Sequence, residues 1–328
     1  MSVFFKNIKI QNFKSIRSCL IPDCKRINLF IGKPNVGKSN ILEALSLFSL
    51  PYLQGVKSRS IKTMIRVENE AGFFHQGNTA EPVIVETDLG MVTLDYKKEE
   101  GLSAYIQIAD HNFKFRIEPD LTLRRFRALR DVIPVKRYIF SNQVEFASGH
   151  GRFLIPPYGL NLLDVIEQNG ELKAEISSWF KEYGLRLVFD RAAQSLRIMQ
   201  AGNINENIFL IPYHSIADTL QRMIFYKTAI ASNHHSILIF EEPEAHSFPP
   251  YIAKITQEMI YRTDNQYFIA THSPFILNDL LENAMDDLSV YMVDYVKHAT
   301  KVKLLSKKTM HEIYQNGIDL FTNSETFV

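Results

Sequence analysis

INLFIGKPNVGKSNILEAL, residues 27–45, is the stretch of sequence around which the rest of the chain is organised. Its first five residues form an apolar run that predicts a buried strand. Residues 32–39 then fit the phosphate-binding pattern G-x-x-x-x-G-K-[ST], and apolar residues recur at helical spacing from Asn40 to Leu47. A strand, a glycine loop and a helix in this order predict a phosphate site, and an ordinary strand-turn-helix with an accidental lysine is the alternative.

The chemistry of phosphate binding assigns a task to each part of this loop. Backbone N–H groups of the loop and of the helix N-terminus point at an anion, and Gly37 lets the backbone approach it closely. Lys38 is placed to reach the β- and γ-phosphates of a nucleotide, and the Ser39 hydroxyl to bind Mg²⁺. The predicted nucleotide contacts in this segment are Gly32, Lys33, Pro34, Asn35, Val36, Gly37, Lys38, Ser39 and Asn40.

A second motif lies at residues 236–242, where an apolar strand ends in two acids. A nucleotide hydrolase needs one carboxylate to position Mg²⁺ or its waters and another to accept a proton from the attacking water. Glu241 is the predicted metal-side acid and Glu242 the predicted general base. Two solvated acids at a strand end are the alternative, which the phosphate-binding loop earlier in the chain disfavours.

A third motif, Thr271-His272-Ser273-Pro274, follows the apolar strand at residues 266–270. A histidine at the carboxyl end of a strand lies on the ligand-binding edge of an open α/β sheet. There it is able to hydrogen-bond a γ-phosphate or the attacking water. A lone histidine is usually structural, and only the two preceding motifs favour a catalytic role for His272.

Composition is that of a globular protein without bulk affinity for nucleic acid. The chain has 328 residues, of which 46% are hydrophobic and 22% charged, and its 37 Lys and Arg nearly balance its 36 Asp and Glu. Cys19 and Cys24 are too few for a four-cysteine zinc site and imply no disulfide framework. There is no signal-peptide core and no apolar run of about 18 residues, so we expect a soluble cytoplasmic protein that does not enter a membrane.

The remaining chain reads as strands and helices in alternation at both ends, which predicts a largely parallel central sheet. Between residues 82 and 118, strand-like runs separated by short polar turns predict antiparallel hairpins. Residues 161–183 read as one or two helices broken near Asn169 and Gly170. Residues 124–137 carry six basic side chains; a surface that contacts nucleic acid is one reading, and a solvated helix face is the more frequent one.

The three motifs, with the opening IKIQNFKSI, resemble the ABC-type ATPases of the RecF/SMC/OLD-like group, as a stand-alone ATPase. The likeness is strong over residues 1–48 and 212–282. It implies an α/β fold, a P-loop NTPase of ABC-ATPase type, with a mixed central sheet and a β/helical insertion lobe. We expect the core at residues 1–50 and 205–328 and the lobe at residues 51–204. The stretch after His272 is too short for the Toprim domain of OLD-like nucleases, so any nuclease is expected on another polypeptide.

The resemblance also implies roles for residues. Lys38 and Ser39 would be Walker A residues, Glu241 and Glu242 Walker B, and His272 the switch histidine, while residues 244–246 would match the D-loop that faces a partner subunit. The signature segment would be residues 214–222. Its Ser215, Asp218 and Thr219 would bind the γ-phosphate of the ATP held by a second subunit. This segment lacks the usual glycine pair. Gln143 is the candidate for the Q-loop.

The function that follows is ATP hydrolysis to ADP and phosphate, with ATP and Mg²⁺ as cofactors and Glu242, His272 and Lys38 as catalytic residues. Two copies are expected to sandwich two nucleotides in a dimeric switch. The resemblance suggests DNA maintenance, with DNA as a ligand, or antiviral defence against phage with a separate effector, a nuclease or a toxin. The alternative is a non-catalytic, nucleotide-gated module that binds DNA or protein. A nucleotide kinase is disfavoured, since it needs neither the paired acids nor the THSP segment.

Overall fold

The computed structural model describes residues 4–56, 58–124, 133–147, 149, 151–190, 193, 195–200 and 210–327. Within these ranges the strands are β1 (Ile8–Phe13), β2 (Ile16–Ile21), β3 (Ile27–Ile31), β4 (Val83–Thr87), β5 (Gly90–Lys97), β6 (Gly101–Ile108), β7 (His111–Ile117), β8 (Val135–Tyr138), β9 (Leu185–Asp190), β10 (Ser195–Gln200), β11 (Leu210–Pro212), β12 (Ile237–Glu241), β13 (Gln266–Ala270), β14 (Leu288–Val296) and β15 (Ala299–Leu304). The α-helices are α1 (Lys38–Ser46), α2 (Leu162–Gln168), α3 (Gly170–Lys181), α4 (Asp218–Ser232), α5 (Pro249–Tyr261), α6 (Pro274–Asn283) and α7 (Lys307–Asn316).

The core sheet has the strand order β15-β14-β3-β13-β12-β8 and is mixed, as the sequence predicts. Its strands from β14 to β8 run parallel, and β15 adds an antiparallel edge. Every residue of β3 and β13 is buried, which explains their continuous apolar runs, because a parallel sheet is covered on both faces. Parallel strands end at one edge, so the loops after β3, β12 and β13 meet there.

An antiparallel sheet, with the order β2-β1-β4-β5-β6-β7, confirms the hairpins predicted between residues 82 and 118. One hydrophobic cluster joins its inner face to α1 and to one face of the core sheet. A second cluster covers the other face of the core sheet with α4, α5 and α6. Helix α1 therefore packs between the two sheets, and the loop that precedes it lies between them as well.

Helices α2 and α3 confirm the predicted break near Gly170, since the Asn169 side chain accepts from the Leu172 N–H and starts α3. Strands β9, β10 and β11 form a small third sheet. Within the described residues three strand pairings cross the predicted boundary between core and lobe, namely β1 with β4, β8 with β12, and β10 with β11. The division of the chain into these two parts therefore stays a prediction.

The basic run at residues 124–137 is not one solvated surface. Its residues 125–132 lie outside the described ranges, and Lys136 and Arg137 are buried in β8. Lys136 donates to Asn233 and Ser236, whereas Arg137 reaches Glu241. Reading these two residues as part of a helix face or a nucleic-acid patch was wrong, because they lie in a strand whose four residues are all buried although it is at the edge of the sheet.

None of the helices in the described part of the chain is both long and apolar enough to cross a membrane.

Candidate functional site

The phosphate-binding loop connects β3 to α1, as predicted. Asn35 and Gly37 have positive φ angles of 62° and 106°, and α1 begins immediately afterwards at Lys38. A Cβ atom at Gly37 would overlap the Thr300 hydroxyl of β15. Only glycine satisfies both the left-handed backbone and this close approach. The loop thus brings the N-terminal N–H groups of α1 to one point, which suits an anion.

Lys38 and Lys33 point to different sides of this loop. The Lys38 Nζ is buried and donates to the carbonyl oxygens of Gly32 at 2.7 Å and Lys33 at 2.8 Å. Burial lowers the Lys38 pKa, and the charges of Glu242 and Glu241 oppose that shift. The exposed Lys33 ammonium instead lies 2.5 Å from Glu325. Of these two cations, Lys38 is the one that faces the predicted phosphate position.

Glu241 ends β12 and is held by two arginines. Arg66 Nη2 donates to Oε1 and Arg137 Nη2 to Oε2, each at 2.6 Å. Burial raises the Glu241 pKa, but Arg137, a hydrogen bond from Ser39 and Arg66 outweigh it, so the net shift is downward. The metal-side acid is therefore kept ionised and in contact with the Ser39 hydroxyl.

These groups fit a magnesium ion that arrives with a nucleotide. A hydroxyl and a carboxylate are oxygen donors of the kind Mg²⁺ prefers, and Mg²⁺ is commonly held by one or two carboxylates plus substrate phosphates. The described residues contain no cluster of three or more His, Cys, Asp or Glu that would hold a metal unaided. Ser39 and Glu241 are the side chains that would bind the ion, with phosphate oxygens completing its shell.

Glu242 and His272 lie side by side after β12 and β13. Their closest polar atoms, Glu242 Oε1 and His272 Nε2, are 3.6 Å apart, and both side chains are partly exposed. Glu242 has a φ of 43°, a strained value for a glutamate, and its N–H donates to the Ala270 carbonyl at 2.9 Å. Burial and the Lys38 charge lower the His272 pKa, and the smaller effect of the Glu242 charge, which raises it, does not cancel that shift. A carboxylate and a neutral imidazole are thus presented together.

A cavity of about 640 Å³ joins these parts, a volume typical of small-molecule sites. Its lining residues are Pro34, Asn35, Gly37, Lys38, Ser39, Asn40, Arg66, Tyr138, Ile139, Phe140, Arg222, Tyr226, Glu241, Glu242, Ala245, His246, Ala270 and His272. Three motifs that are far apart in sequence therefore share one cavity. Of the predicted nucleotide contacts in the loop, Gly32, Lys33 and Val36 are not in the lining. Gln143 is exposed in the loop after β8 and is also outside it.

The predicted signature segment does not line this cavity through Ser215, Asp218 or Thr219. Ser215 is exposed in a short 3-10 helix, Tyr213–Ser215. The Asp218 carboxylate accepts from Arg222 Nε at 2.7 Å, and the Thr219 hydroxyl donates to the His246 carbonyl at 2.7 Å. In the same chain, therefore, these three residues do not reach the nucleotide site.

Sequence reasoning missed a network of paired charges behind the site, centred on one buried acid. Glu43 of α1 is fully buried and bonds Lys14 at 2.5 Å and Arg66 Nε at 2.9 Å. Arg66 also pairs with Glu241, and Glu241 pairs in turn with Arg137. The one available signal was an acid on the apolar side of α1, since buried acids are almost always paired. Nothing in the sequence says which cations pair with it.

Comparison with known proteins places this geometry in a family. A family model described as "AAA domain, putative AbiEii toxin, Type IV TA system" matches residues 27–278, most of the chain. The match spans all three motifs.

Curated relatives match over a shorter stretch. Two proteins named "DNA replication and repair protein RecF", from Streptococcus suis strains 05ZYH33 and 98HAH33, are each 27% identical to this chain over 110 residues. The match covers 32% of this chain and 30% of each relative, so the chain spans less than a third of their length.

Solved structures extend the likeness to nearly the whole chain. An Smc head bound to the C-terminal winged-helix domain of ScpA has a TM-score of 0.55 and 14% identity, and covers 94% of this chain and 100% of its own. An Smc head with an extended coiled coil, bound to the C-terminal domain of ScpA derived from Pyrococcus furiosus, has a TM-score of 0.50 and 13% identity, with 96% and 100% covered. At such identities the likeness concerns the fold alone.

Proposed function

The chain belongs to this AAA-domain family, within the RecF/SMC group of ABC-type ATPases, and from this premise we propose that it binds ATP with Mg²⁺ and hydrolyses it in the 640 Å³ cavity. The observation that carries the proposal is the convergence of Lys38, Ser39, Glu241, Glu242 and His272 on that one cavity. A strand-turn-helix with a purely structural role would not place a buried lysine, two acids and a histidine around one cavity.

Binding rests on the loop and on Lys38. The N–H groups at the start of α1 hold the phosphates, and the Lys38 ammonium moves from the Gly32 and Lys33 carbonyls onto the β- and γ-phosphates. Mg²⁺, when bound, neutralises charge on the phosphate oxygens. Ser39 and Glu241 face the position of that ion.

Hydrolysis is in-line attack of a water on the γ-phosphate. Glu242 orients the water and accepts its proton, and its strained backbone is fixed by the Ala270 carbonyl. His272, neutral at pH 7 because its pKa is lowered, hydrogen-bonds the water or the γ-phosphate beside Glu242. Lys38 and the α1 N-terminus stabilise the charge that spreads over the transferred group.

Glu242→Gln tests the chemistry. The variant keeps the side-chain size and the hydrogen-bonding reach but loses the base, so we expect ATP binding to persist and turnover to fall roughly 10²- to 10⁴-fold. Phosphate release measures turnover and calorimetry measures binding. Glu258→Gln, a glutamate on α5 paired with Lys227 and Arg262, is the matched control. Parent-rate hydrolysis by Glu242→Gln would exclude Glu242 as the base and make Glu241 the candidate.

We further propose that two copies close on ATP as a dimeric switch. The support is the position of Ser215, which is exposed and outside the chain's own cavity, as a residue that serves a second subunit must be. The missing glycine pair in residues 214–222 favours a second candidate, a nucleotide-gated binding module in which hydrolysis is slow. A turnover number close to zero, with ATP-dependent dimerisation intact, would select that candidate.

The biological role we propose is DNA maintenance or anti-phage defence with a separate effector, a nuclease or a toxin. The RecF relatives are named for DNA replication and repair, the two Smc heads are bound to a separate protein, and the family description includes a toxin system. ATP turnover with and without duplex DNA tests the first role. Strong stimulation supports a DNA-dependent switch, whereas unchanged turnover and no DNA binding would exclude it.

A further inference from the structure

Glu244 lies in the loop after β12, and its carboxylate contacts the turn after β13. Its Oε1 accepts two hydrogen bonds, from the Thr271 hydroxyl at 2.6 Å and from the His272 N–H at 2.9 Å. Both donors belong to the turn after β13 that carries the switch histidine. The resemblance implied for Glu244 only a place in the loop that faces a second subunit, whereas this contact lies within one chain.

The Glu244 carboxyl is held in a costly environment. Its Oε2 is buried and has no hydrogen-bond partner within the described residues. Burial, with a smaller contribution from the Glu242 charge, raises the Glu244 pKa, against the hydrogen bonds from Thr271 and His272. A half-satisfied buried acid does not favour stability, because its unpaired oxygen has lost water without gaining a hydrogen bond. The structural contribution of Glu244 is therefore the pair of hydrogen bonds that its Oε1 accepts.

Those two bonds fix the geometry of the His272 turn. The Thr271 hydroxyl, which donates to Glu244, also accepts from the Ser273 N–H at 3.0 Å. Ser273 in turn caps α6. The residues on either side of His272, and its own N–H, are therefore tied to Glu244, while its imidazole is left to face Glu242 at 3.6 Å.

The same loop is tied to α4 on its other side, because the Thr219 hydroxyl donates to the His246 carbonyl. Glu244 thus lies between α4, at the predicted subunit-facing segment, and the turn that carries His272.

We propose that Glu244 is a positioning residue, which holds the His272 turn so that the imidazole is directed at the attacking water beside Glu242. The proposal rests on the proposed ATPase function for its kinetic consequence, but the geometry itself is present without nucleotide. Glu244 acts as an acceptor of two hydrogen bonds, so a glutamine replaces it and an alanine does not.

The test is a pH titration of His272, monitored by NMR of histidine-labelled, nucleotide-free protein. The spectrum of the His272→Ala variant assigns the His272 resonance. In the parent its pKa is lowered by burial and by Lys38. Glu244→Ala frees the turn, so we expect that pKa to rise toward the ordinary value of about 6.5. Glu244→Gln keeps the acceptor and should keep the parent value. An unchanged pKa in Glu244→Ala, or an equal rise in Glu244→Gln, overturns the proposal.

A second pair of variants decides the matter if Glu244→Ala does not fold. Thr271→Val removes one donor and should move the His272 pKa the same way by a smaller amount, and Thr271→Ser should not move it. Identical titrations in these two variants overturn the proposal. Glu258→Ala, which removes a glutamate of α5 far from this turn, controls for general destabilisation and should leave His272 unchanged.

Kinetics add a separate readout. A displaced imidazole lowers kcat of Glu244→Ala by about 10²-fold with KM for ATP unchanged, because misplacement by about 1 Å costs this much. Glu244→Gln restores kcat. A parent protein without turnover would refute the proposed function, whereas the titration would still decide the role of Glu244. A rise in KM with kcat unchanged would overturn the positioning role.

Discussion

Glu241 is compensated by two arginines that differ sharply in burial. The Arg66 side chain is 65% exposed, whereas Arg137 is 4% exposed. Water screens the Arg66 pair more strongly, and the Arg137 charge is the largest single cause that lowers the Glu241 pKa. Arg137 is on β8, the strand next to β12, so the sheet itself places it beside Glu241, whereas Arg66 also pairs with the buried Glu43.

Lys38→Ala should weaken ATP binding by about 10²-fold or more. It removes the buried ammonium that reaches the phosphates, and each hydrogen bond to a charged group contributes about 1.5–3 kcal/mol. Calorimetry with a non-hydrolysable ATP analogue measures the change. Lys33→Ala is the matched control, since its ammonium pairs with Glu325 outside the cavity, and should change affinity only a few-fold. Equal losses in both variants would mean that net charge, and not the position of Lys38, drives binding.

At the scale of elements, the loop before α1 is braced by β15 and the β1–β2 turn. Asn40 Nδ2 donates to Ser15 Oγ at 2.6 Å, Ser15 shares a 2.6 Å hydrogen bond with Thr300, and Thr300 Oγ1 donates to the Val36 carbonyl at 2.9 Å. Because Thr300 uses its proton on Val36, Ser15 is the donor in the middle bond. This relay runs from the first turn of α1 to the middle of the loop and holds its shape.

Thr300→Val should destabilise the phosphate-binding loop and lower nucleotide affinity. The variant keeps the volume of the fully buried Thr300 but leaves the Val36 carbonyl without its donor and the Ser15 hydroxyl without an acceptor. We expect a loss of about 1–3 kcal/mol in the free energy of unfolding and lower ATP affinity. Urea denaturation and calorimetry measure the two effects. Thr300→Ser, which keeps the hydroxyl, should retain the affinity of the parent; a loss as large as that of Thr300→Val would show that packing, and not the relay, matters.

At the scale of the whole molecule, the site exists because the core sheet is parallel. The loops after β3, β12 and β13 come from distant parts of the sequence and meet only because these three strands end at one edge. Helix α4 packs on the opposite face from α1 and brings Arg222 and Tyr226 to the same cavity. One edge of one sheet therefore carries the nucleotide chemistry and the segment predicted to face a partner.

Ser215→Arg tests the proposed dimer. Ser215 lies outside the chain's own cavity, so ATP binding by the isolated subunit should stay within a few-fold of the parent, while ATP-driven dimerisation and turnover should be abolished. Light scattering with a non-hydrolysable ATP analogue measures the assembly. Ser178→Arg, at an exposed serine of α3, is the control and should dimerise normally.

Mixing supplies the decisive arm of this experiment. In a heterodimer of Ser215→Arg with Lys38→Ala, one of the two equivalent sites has an intact Lys38 and an intact Ser215, so turnover should return for about one site per dimer. Loss of ATP binding in the isolated Ser215→Arg subunit would contradict the shared site. So would a mixture without turnover in which both variants remain folded and able to dimerise.

Local pattern was enough to identify the chemistry. The glycine loop, the strand ending in two acids and the THSP turn are each specified within about ten consecutive residues, because backbone conformation and strand burial depend on near neighbours. The family resemblance that these motifs carry implied the ABC-type fold with a mixed core sheet, and the strand-like runs of residues 82–118 predicted antiparallel hairpins; the structure confirms both.

Tertiary structure alone decided the partners of the charged groups. Arg137 was read as surface and is buried against Glu241, Arg66 carried no signal, and Glu244, predicted only as part of the D-loop, accepts two hydrogen bonds from the turn that carries His272. A charge pairs with whatever the fold brings within about 4 Å, and strands or loops separated by a hundred or more residues in the sequence leave no local trace of that meeting. The sequence therefore determined which reaction the residues suit, and the packing of the sheet decided which side chains orient it.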